Sequence, residues 1–447
     1  MIKRVLTYSF VEGLSKGLNK LLFLLLPLII PVKDFGYIGL VVALEVLIPY
    51  ITLLGFDRAV LRFYNDKFPN FEATIFKSIL CTHWIFIFLA FLTTIFGVQY
   101  AFGLRIFPDL ILILLLVYFQ SKHSIKLNIL RSTSCHNEFF KWRIIQQISK
   151  LIFSLIALYF FNNYMSYIIA SLVSATLLEL FFKVDYSDEN EKKFNNETFK
   201  RLFVFSWPMI FHGIAGNLLG NADKFIIDKY MSVSDVGQYS FAYTIGSMIV
   251  FSYLGLSIYF EPSIYKQKNI NALEMLIKTF RSLSLLTGSL ALLILILVVE
   301  FLLPKVYPSY TSIFWSIPYI AISFLLYPFY LSGNYRLSFF KKTKLIASIS
   351  IISSVLNIGC NIYFIPKYGV MAAVIINIFT YFIQAFCFTL GSNQKIFSIE
   401  MRSLLMTSTV IAIVLITKTH LSLIPLTIIF FNIFIRYKDK VEIIHSS

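Results

Sequence analysis

The sequence predicts an all-α polytopic membrane protein made of two six-helix halves, and three observations carry that reading. Hydrophobic residues fill 58% of the 447 positions, with a mean hydropathy of +0.77, more apolar surface than a water-soluble globule of this length can bury. Apolar runs of about 17 to 25 residues, long enough to cross a hydrocarbon core as a helix, recur along nearly the whole chain. Short motifs also return about 200 residues later. Phe139-Phe140-Lys141 recurs as Phe339-Phe340-Lys341, Leu54-Gly55 as Leu254-Gly255, and Asp34 and Gly36 as Asp235 and Gly237. Both halves begin on the same side with six runs each, so the repeat is parallel, about an axis along the membrane normal.

Taken in order, the long apolar runs lie near 6–31, 36–56, 76–98, 108–128, 143–161, 165–183, 203–228, 236–257, 278–303, 311–333, 344–364 and 368–390. Two runs of about 15 residues follow, near 403–417 and 421–435, at or below the spanning minimum. They give fourteen spans, or twelve plus a re-entrant hairpin. The one long hydrophilic stretch mixes acids and bases evenly and reads as a linker. Residues 1–184 then form an N-terminal six-helix bundle, 185–201 a cytoplasmic linker, 202–391 a second six-helix bundle, and 392–447 two short helices and a tail.

The net charge of +16 could suggest nucleic acid, but its lysines and arginines sit in short loops between apolar runs. Loops on the side of the N-terminus hold roughly 29 of them and the opposite loops roughly six, which places both termini in the cytoplasm. Lys3 and Arg4 resemble a signal-peptide start, but the next segment carries Glu12, Lys16 and Lys20 and no small-residue cleavage site, so it reads as a retained first helix. Cys81, Cys135, Cys360 and Cys387 show neither paired nor metal-like spacing; no disulfide, metal or cofactor is expected.

One polar stripe interrupts this apolar background. Gly213, Gly216, Asn217, Gly220, Asn221 and Lys224 fall on one face of the seventh run. Small and amide residues in a membrane helix either admit a close neighbour or line a polar cavity, and Asp223 with Lys224 favours the cavity. A shift of about 201 residues lays Glu12, Lys16, Asn19 and Lys20 on the same stripe of the first run, so the polar face exists twice and its first copy is charged.

Further residues carry a family resemblance. Leu26-Pro27 is followed by Asp34-Phe35-Gly36-Tyr37, and Gly55-Phe56-Asp57-Arg58 by Arg62-Phe63-Tyr64. Then come Ser206-Trp207-Pro208, Asp223-Lys224-Phe225-Ile226, Val236-Gly237-Gln238-Tyr239, Leu356-Asn357 with Asn361, and Ile365-Pro366-Lys367-Tyr368-Gly369. Across nearly its whole length the chain resembles the polysaccharide-unit flippases of the Wzx type, in the larger group that includes multidrug and toxin extrusion transporters and lipid II flippases. The resemblance implies two bundles set as a V around a central cavity. It also implies a function: moving an undecaprenyl-pyrophosphate-linked oligosaccharide from the cytoplasmic to the periplasmic leaflet of the bacterial inner membrane, for O-antigen or capsule assembly. It implies a monomer in contact with membrane lipids, a polysaccharide polymerase and a chain-length regulator, with no nucleic acid partner. An added C-terminal pair helps to form a lipid-tail groove in some relatives.

A charge at the bilayer centre costs roughly 2.5 to 3.5 kcal/mol on insertion scales, so Lys16 and Lys20, one turn apart near the middle of the first run, need a reason. Either they anchor a pyrophosphate in a wet cavity, or Glu12 pairs with Lys16 while Lys20 snorkels. Arg58 and Arg62 fit substrate capture and topogenic charge about equally. Glu45 is a proton carrier or, preferably, a partner for Lys16 or Lys20. Asp223 and Lys224 are a structural ion pair or the second half's share of the site. Asn19, Asn217 and Asn221 would line the cavity. Lys150 and Glu179 are placed near enough to the inner surface to snorkel.

Three functions compete. A lipid-linked oligosaccharide flippase working by alternating access fits the basic stripe. A drug or ion antiporter of the same fold would carry acidic cation ligands in a smaller cavity, whereas the first helix is predominantly basic. A polysaccharide polymerase would present catalytic acids or bases on a long loop, yet every outward loop is about a dozen residues or fewer.

Overall fold

The computed structural model describes residues 2–66, 68–133, 135–182 and 193–393, with side chains described for all of these except 2–12, 65, 136, 208, 209 and 212. The described residues are almost entirely helical. Its elements are α1 (Ile2–Ile29), α2 (Val32–Thr52), α3 (Phe56–Phe63), α4 (Phe71–Ile95), α5 (Ile111–Ser132), α6 (His136–Phe161), α7 (Tyr164–Phe181) and α8 (Asn196–Tyr230). They continue with α9 (Val233–Gly246), α10 (Phe251–Tyr265), α11 (Ile270–Leu297), α12 (Leu303–Val306), α13 (Ser316–Leu325), α14 (Tyr327–Phe339), α15 (Thr343–Tyr368) and α16 (Val370–Gly391). Each of the twelve long apolar runs corresponds to one helix or one near-continuous helix pair. Ten of these segments are long and apolar enough to cross a membrane. The remaining two, α1 and α8, are the helices that carry the polar stripe. The runs near 403–417 and 421–435 lie outside the described residues.

Three local features depart from the sequence expectation. The second run ends at Thr52, not at 56, because Leu54 and Gly55 turn left-handed (φ 53° and 71°). Gly55 is required there twice over: it tolerates the positive φ, and a Cβ would stand 2.8 Å from the Ser206 carbonyl oxygen. The turn releases α3, an amphipathic helix whose Phe56, Ala59 and Val60 pack with Phe71, Ile75, Ile79, Ile125, Ile129 and Leu202. Next, α8 begins at Asn196, two turns early. Asn195 caps it by accepting from the Thr198 N–H at 2.9 Å, so the charged segment 196–201 is helical. Finally, the connection after α4 carries a small hairpin, β1 (Tyr100–Ala101) paired antiparallel with β2 (Leu104–Arg105), whose Phe102 meets Phe225 of α8 edge-on at 5.5 Å.

Packing divides the described chain into two units. One contains Leu14–Phe241 and Ile358–Val370, and the rest of the described chain forms the other. In the second unit, α10, α11 and α14 share an apolar core of Phe260, Ile264, Leu273, Ile277, Phe280 and Tyr335. Within the first, α2 crosses the start of α9 at near-zero side-chain thickness. A Cβ on Gly36 would lie 2.0 Å from the Val233 carbonyl oxygen, and one on Gly237 would lie 2.1 Å from the Val32 carbonyl oxygen. Val32 and Gly36 correspond to Val233 and Gly237 in the sequence repeat, so equivalent residues meet across the crossing. The spacing of Asp34-Phe35-Gly36 and Asp235-Val236-Gly237 thus has a packing reason.

Candidate functional site

The polar stripe of α8 does both things that such stripes can do. At Gly213 it admits a neighbour, since a Cβ there would stand 2.2 Å from the ring of Tyr50 on α2. One turn on it becomes polar. Asn217 is buried, and its carbonyl accepts from the Asn221 amide at 3.4 Å. Asn221 in turn accepts from the Lys224 ammonium at 3.1 Å. Asp223 is fully buried, with Tyr239 donating to one carboxylate oxygen and the Lys224 backbone N–H to the other at 2.9 Å. The charges of Asp223 and Lys224 also attract one another. Asp223 therefore fixes the end of α8 to α9 and balances part of the Lys224 charge.

Helix α1 brings the second cation. Lys20 is partly buried and lies close enough to Lys224 for the two positive charges to act on each other. Lys16, one turn earlier, is exposed. The structure thus gathers Lys20 and Lys224 from two helices that correspond in the repeat. Glu12 lies in α1, but its side chain falls outside the described residues. Asn19 points away from this cluster into a separate chamber, with Glu45, Gln120, His123, Gln147 and Lys150 among its lining residues.

Two expectations are corrected by the packing. Glu45 partners neither Lys16 nor Lys20 but Lys150 of α6, at 2.7 Å, and both side chains are largely buried. Glu179 and Lys150 do not snorkel: Glu179 is ion-paired with Lys122 at 2.6 Å and with Lys126 at 2.8 Å, and Lys126 donates to the Phe182 carbonyl at the end of α7. These pairs join α2, α5, α6 and α7, and each lets a charge stay inside a membrane bundle without reaching an interface. Arg58 and Arg62 stand on the outer face of α3 with side chains 64% and 61% exposed, 3.7 Å from Asp57 and 3.8 Å from Asp66. Such pairs are worth little, about 0–1 kcal/mol. His83, isolated in the sequence, contacts the Ile79 carbonyl at 2.8 Å and is a packed core residue.

Sequence reasoning missed the chamber. Its signal was the amides: Gln120, Gln146 and Gln147 are long polar side chains in the middle of apolar runs, as unexpected there as Lys16 and Lys20.

The fold is that of known membrane transporters. The chain superposes on a lipid II flippase, MurJ, in its inward closed conformation with a TM-score of 0.72, at 14% identity, covering 96% of this chain and 99% of that one. It superposes on a multidrug resistance MATE family transporter of the MOP superfamily in an inward-facing conformation with a TM-score of 0.66, at 14% identity over 87% of this chain and 96% of that one. An outward-facing MATE transporter gives 0.57 at 13% identity, over 91% and 97% of the two chains. In sequence, the chain is 24% identical over 395 residues to an uncharacterized membrane protein, MJ1068, of Methanocaldococcus jannaschii, covering 79% of this chain and 76% of that protein. Residues 25–258, more than half of the chain and including most of the polar sites described above, match the model of the polysaccharide biosynthesis protein family. The chain belongs to that family.

Proposed function

We propose that this protein is a Wzx-type flippase. In this reading it carries an undecaprenyl-pyrophosphate-linked oligosaccharide repeat unit from the cytoplasmic to the outer leaflet, for O-antigen or capsule assembly, by alternating access and without a covalent step. The observation that carries the reading is the approach of Lys20 and Lys224 on α1 and α8. Two ammonium groups within electrostatic range of each other on neighbouring membrane helices suit a dianionic head group, which exchanges their repulsion for two attractions. Lys16 extends the cationic track by one turn. Family membership and the transporter fold agree with this function. The basic character of the cluster favours a phosphate-bearing lipid over the cationic drugs of an antiporter. Both termini lie in the cytoplasm of a bacterial cell on this reading, by the lysine and arginine asymmetry of the loops. The six-helix halves at 1–184 and 202–391 are the moving bodies.

The test is a deletion strain complemented with variants, with surface polysaccharide measured beside a membrane blot for abundance. Deletion should leave lipid-linked repeat units trapped on the cytoplasmic leaflet; units accumulating on the outer face would indicate a polymerase. The double variant Lys16→Ala/Lys20→Ala should insert normally, because removing a charge from the membrane lowers the insertion cost, yet lose most long-chain polysaccharide. Arg at either position should retain more activity than Gln, and Lys20→Glu should be worse than Ala. Full-length polysaccharide from the double Ala variant at ordinary abundance would make the pair structural and move the anion site to Arg58 and Arg62.

A further inference from the structure

The ion pairs and the cationic cluster leave unexplained a half-open chamber lined by residues of α1, α2, α5, α6 and α7. It has a volume of about 180 Å³, room for roughly six waters at ~30 Å³ each. Its walls are polar but nearly neutral, because Glu45 and Lys150 cancel. Two observations indicate that it is incomplete without an occupant. The side-chain amides of Asn19, Gln120 and Gln147 exchange no hydrogen bond with another described residue. Glu45 gives one oxygen to Lys150, while its other oxygen, Oε1, is buried with no partner. Inside a membrane bundle each unmet polar group costs free energy until something donates to it or accepts from it.

The wall chemistry narrows the occupant. An apolar chain would leave three amides and a carboxylate oxygen unsatisfied. A bare anion would face Glu45, and a bare cation would face Lys150. A ligand with several hydroxyls meets all of these groups, since each hydroxyl both donates and accepts: the amide carbonyls and Glu45 take its protons, and the amide NH₂ groups bond its oxygens. A single sugar ring has that chemistry and is of the size the chamber offers.

We propose that the chamber is a sugar subsite that holds one monosaccharide ring of the transported lipid, an assignment that rests on the flippase reading. Asn19 and Lys20 are neighbours in α1, their Cα atoms ~3.8 Å apart. Successive side chains of a helix point about 100° apart, so the chamber and the lysine cluster lie on different faces of α1, and the probes below decide whether the chamber reads a sugar on the bound lipid.

The experiment measures binding to the purified full-length protein in lipid nanodiscs. The probes are bare undecaprenyl pyrophosphate and the same lipid carrying glucose, galactose, N-acetylglucosamine or N-acetylgalactosamine. Wild type should bind at least one sugar-bearing probe ten-fold or more tighter than the bare lipid. Gln120→Leu/Gln147→Leu should abolish that preference while leaving affinity for the bare lipid within two-fold. Gln147→Asn, which shortens one amide and changes no charge, should weaken the preference in part, and it serves if the double variant folds poorly. A preference that survives the double variant, or no preference for any sugar in wild type, overturns the subsite and leaves a chamber of water only. In that case bare-lipid binding that is lost in Lys20→Ala/Lys224→Ala still supports the flippase. Wild type that binds no probe at all overturns both.

Discussion

Gly36→Ala tests the crossing of α2 and α9 with a single methyl group. The new Cβ would stand 2.0 Å from the Val233 carbonyl oxygen and 2.9 Å from Val233 Cγ1, where ordinary contact begins at 3.4 Å. The obstacle is main chain and cannot rotate aside, so the helices must separate by about 1.4 Å at this point. Overpacking of this kind costs roughly 1–3 kcal/mol. Parting the two helices relieves the strain at less cost than unfolding either one. A difference of 1–3 kcal/mol changes the ratio of closed to parted crossings by about 5- to 150-fold. The readout is maleimide labelling of Ser240→Cys in a background free of the four native cysteines, because Ser240 is buried beside Gly39 at the same crossing. Gly36→Ala should raise the labelling rate at least five-fold, and Gly36→Ala/Gly237→Ala more, since Gly237 meets the Val32 carbonyl at 2.1 Å. Gly216→Ala, with nothing within 4 Å of its Cβ, is the control and should change nothing. If Gly36→Ala is well folded and labels as slowly as wild type, the crossing is not under the close constraint argued here.

Two other perturbations check separate parts of the structure. Lys150→Met strands the buried Glu45 carboxylate and should cost about 3–5 kcal/mol, read as a lowered melting temperature in detergent; Glu45→Met/Lys150→Met should recover most of the loss, because no unpaired charge remains. A double variant as unstable as the single would mean that Glu45 and Lys150 do not hold each other. For topology, single cysteines at Asn190 and Ser446 should react with an impermeant reagent only after permeabilisation and one at Asn163 in intact spheroplasts; labelling of Asn190 from outside reverses the orientation. Protection of a cysteine at Ser422 would favour a hairpin over two further spans.

The fold was legible because it is written in local terms. A run such as the one near 36–56 declares a membrane helix by length and hydropathy alone, and Gly36 and Gly237 declare their equivalence by a nearly constant offset. The cationic stripe was visible for the same reason, since Lys16 and Lys20 are one turn apart on one helix. Partner identities were not legible. Glu45 and Lys150 are 105 residues apart in the chain, and nothing in either neighbourhood says which of several lysines the packing of α2 on α6 will deliver. Boundaries set by capping were also missed: the start of α8 depends on the Asn195 side chain, and hydropathy does not register a cap.

Two kinds of buried or half-buried charge among the described residues differ in a way that bears on mechanism. Glu45 with Lys150, and Glu179 with Lys122 and Lys126, are acid–base sets whose opposite charges pair at 2.6 to 2.8 Å and offset each other. Lys20 and Lys224 are like charges brought together on repeat-related helices, with Asp223 offsetting part of one of them. Their repulsion weakens as α1 and α8 separate, and it is strongest when the two ammonium groups are held close. An anion bound between them gains most in that close arrangement and least when the helices part. On the flippase reading the lipid head group therefore prefers one conformation over the other, and this difference in affinity is what a ligand needs in order to shift a conformational equilibrium. Separating the lysines weakens the hold on the head group, so release can follow from the helix movement itself without any change in the charge of the site.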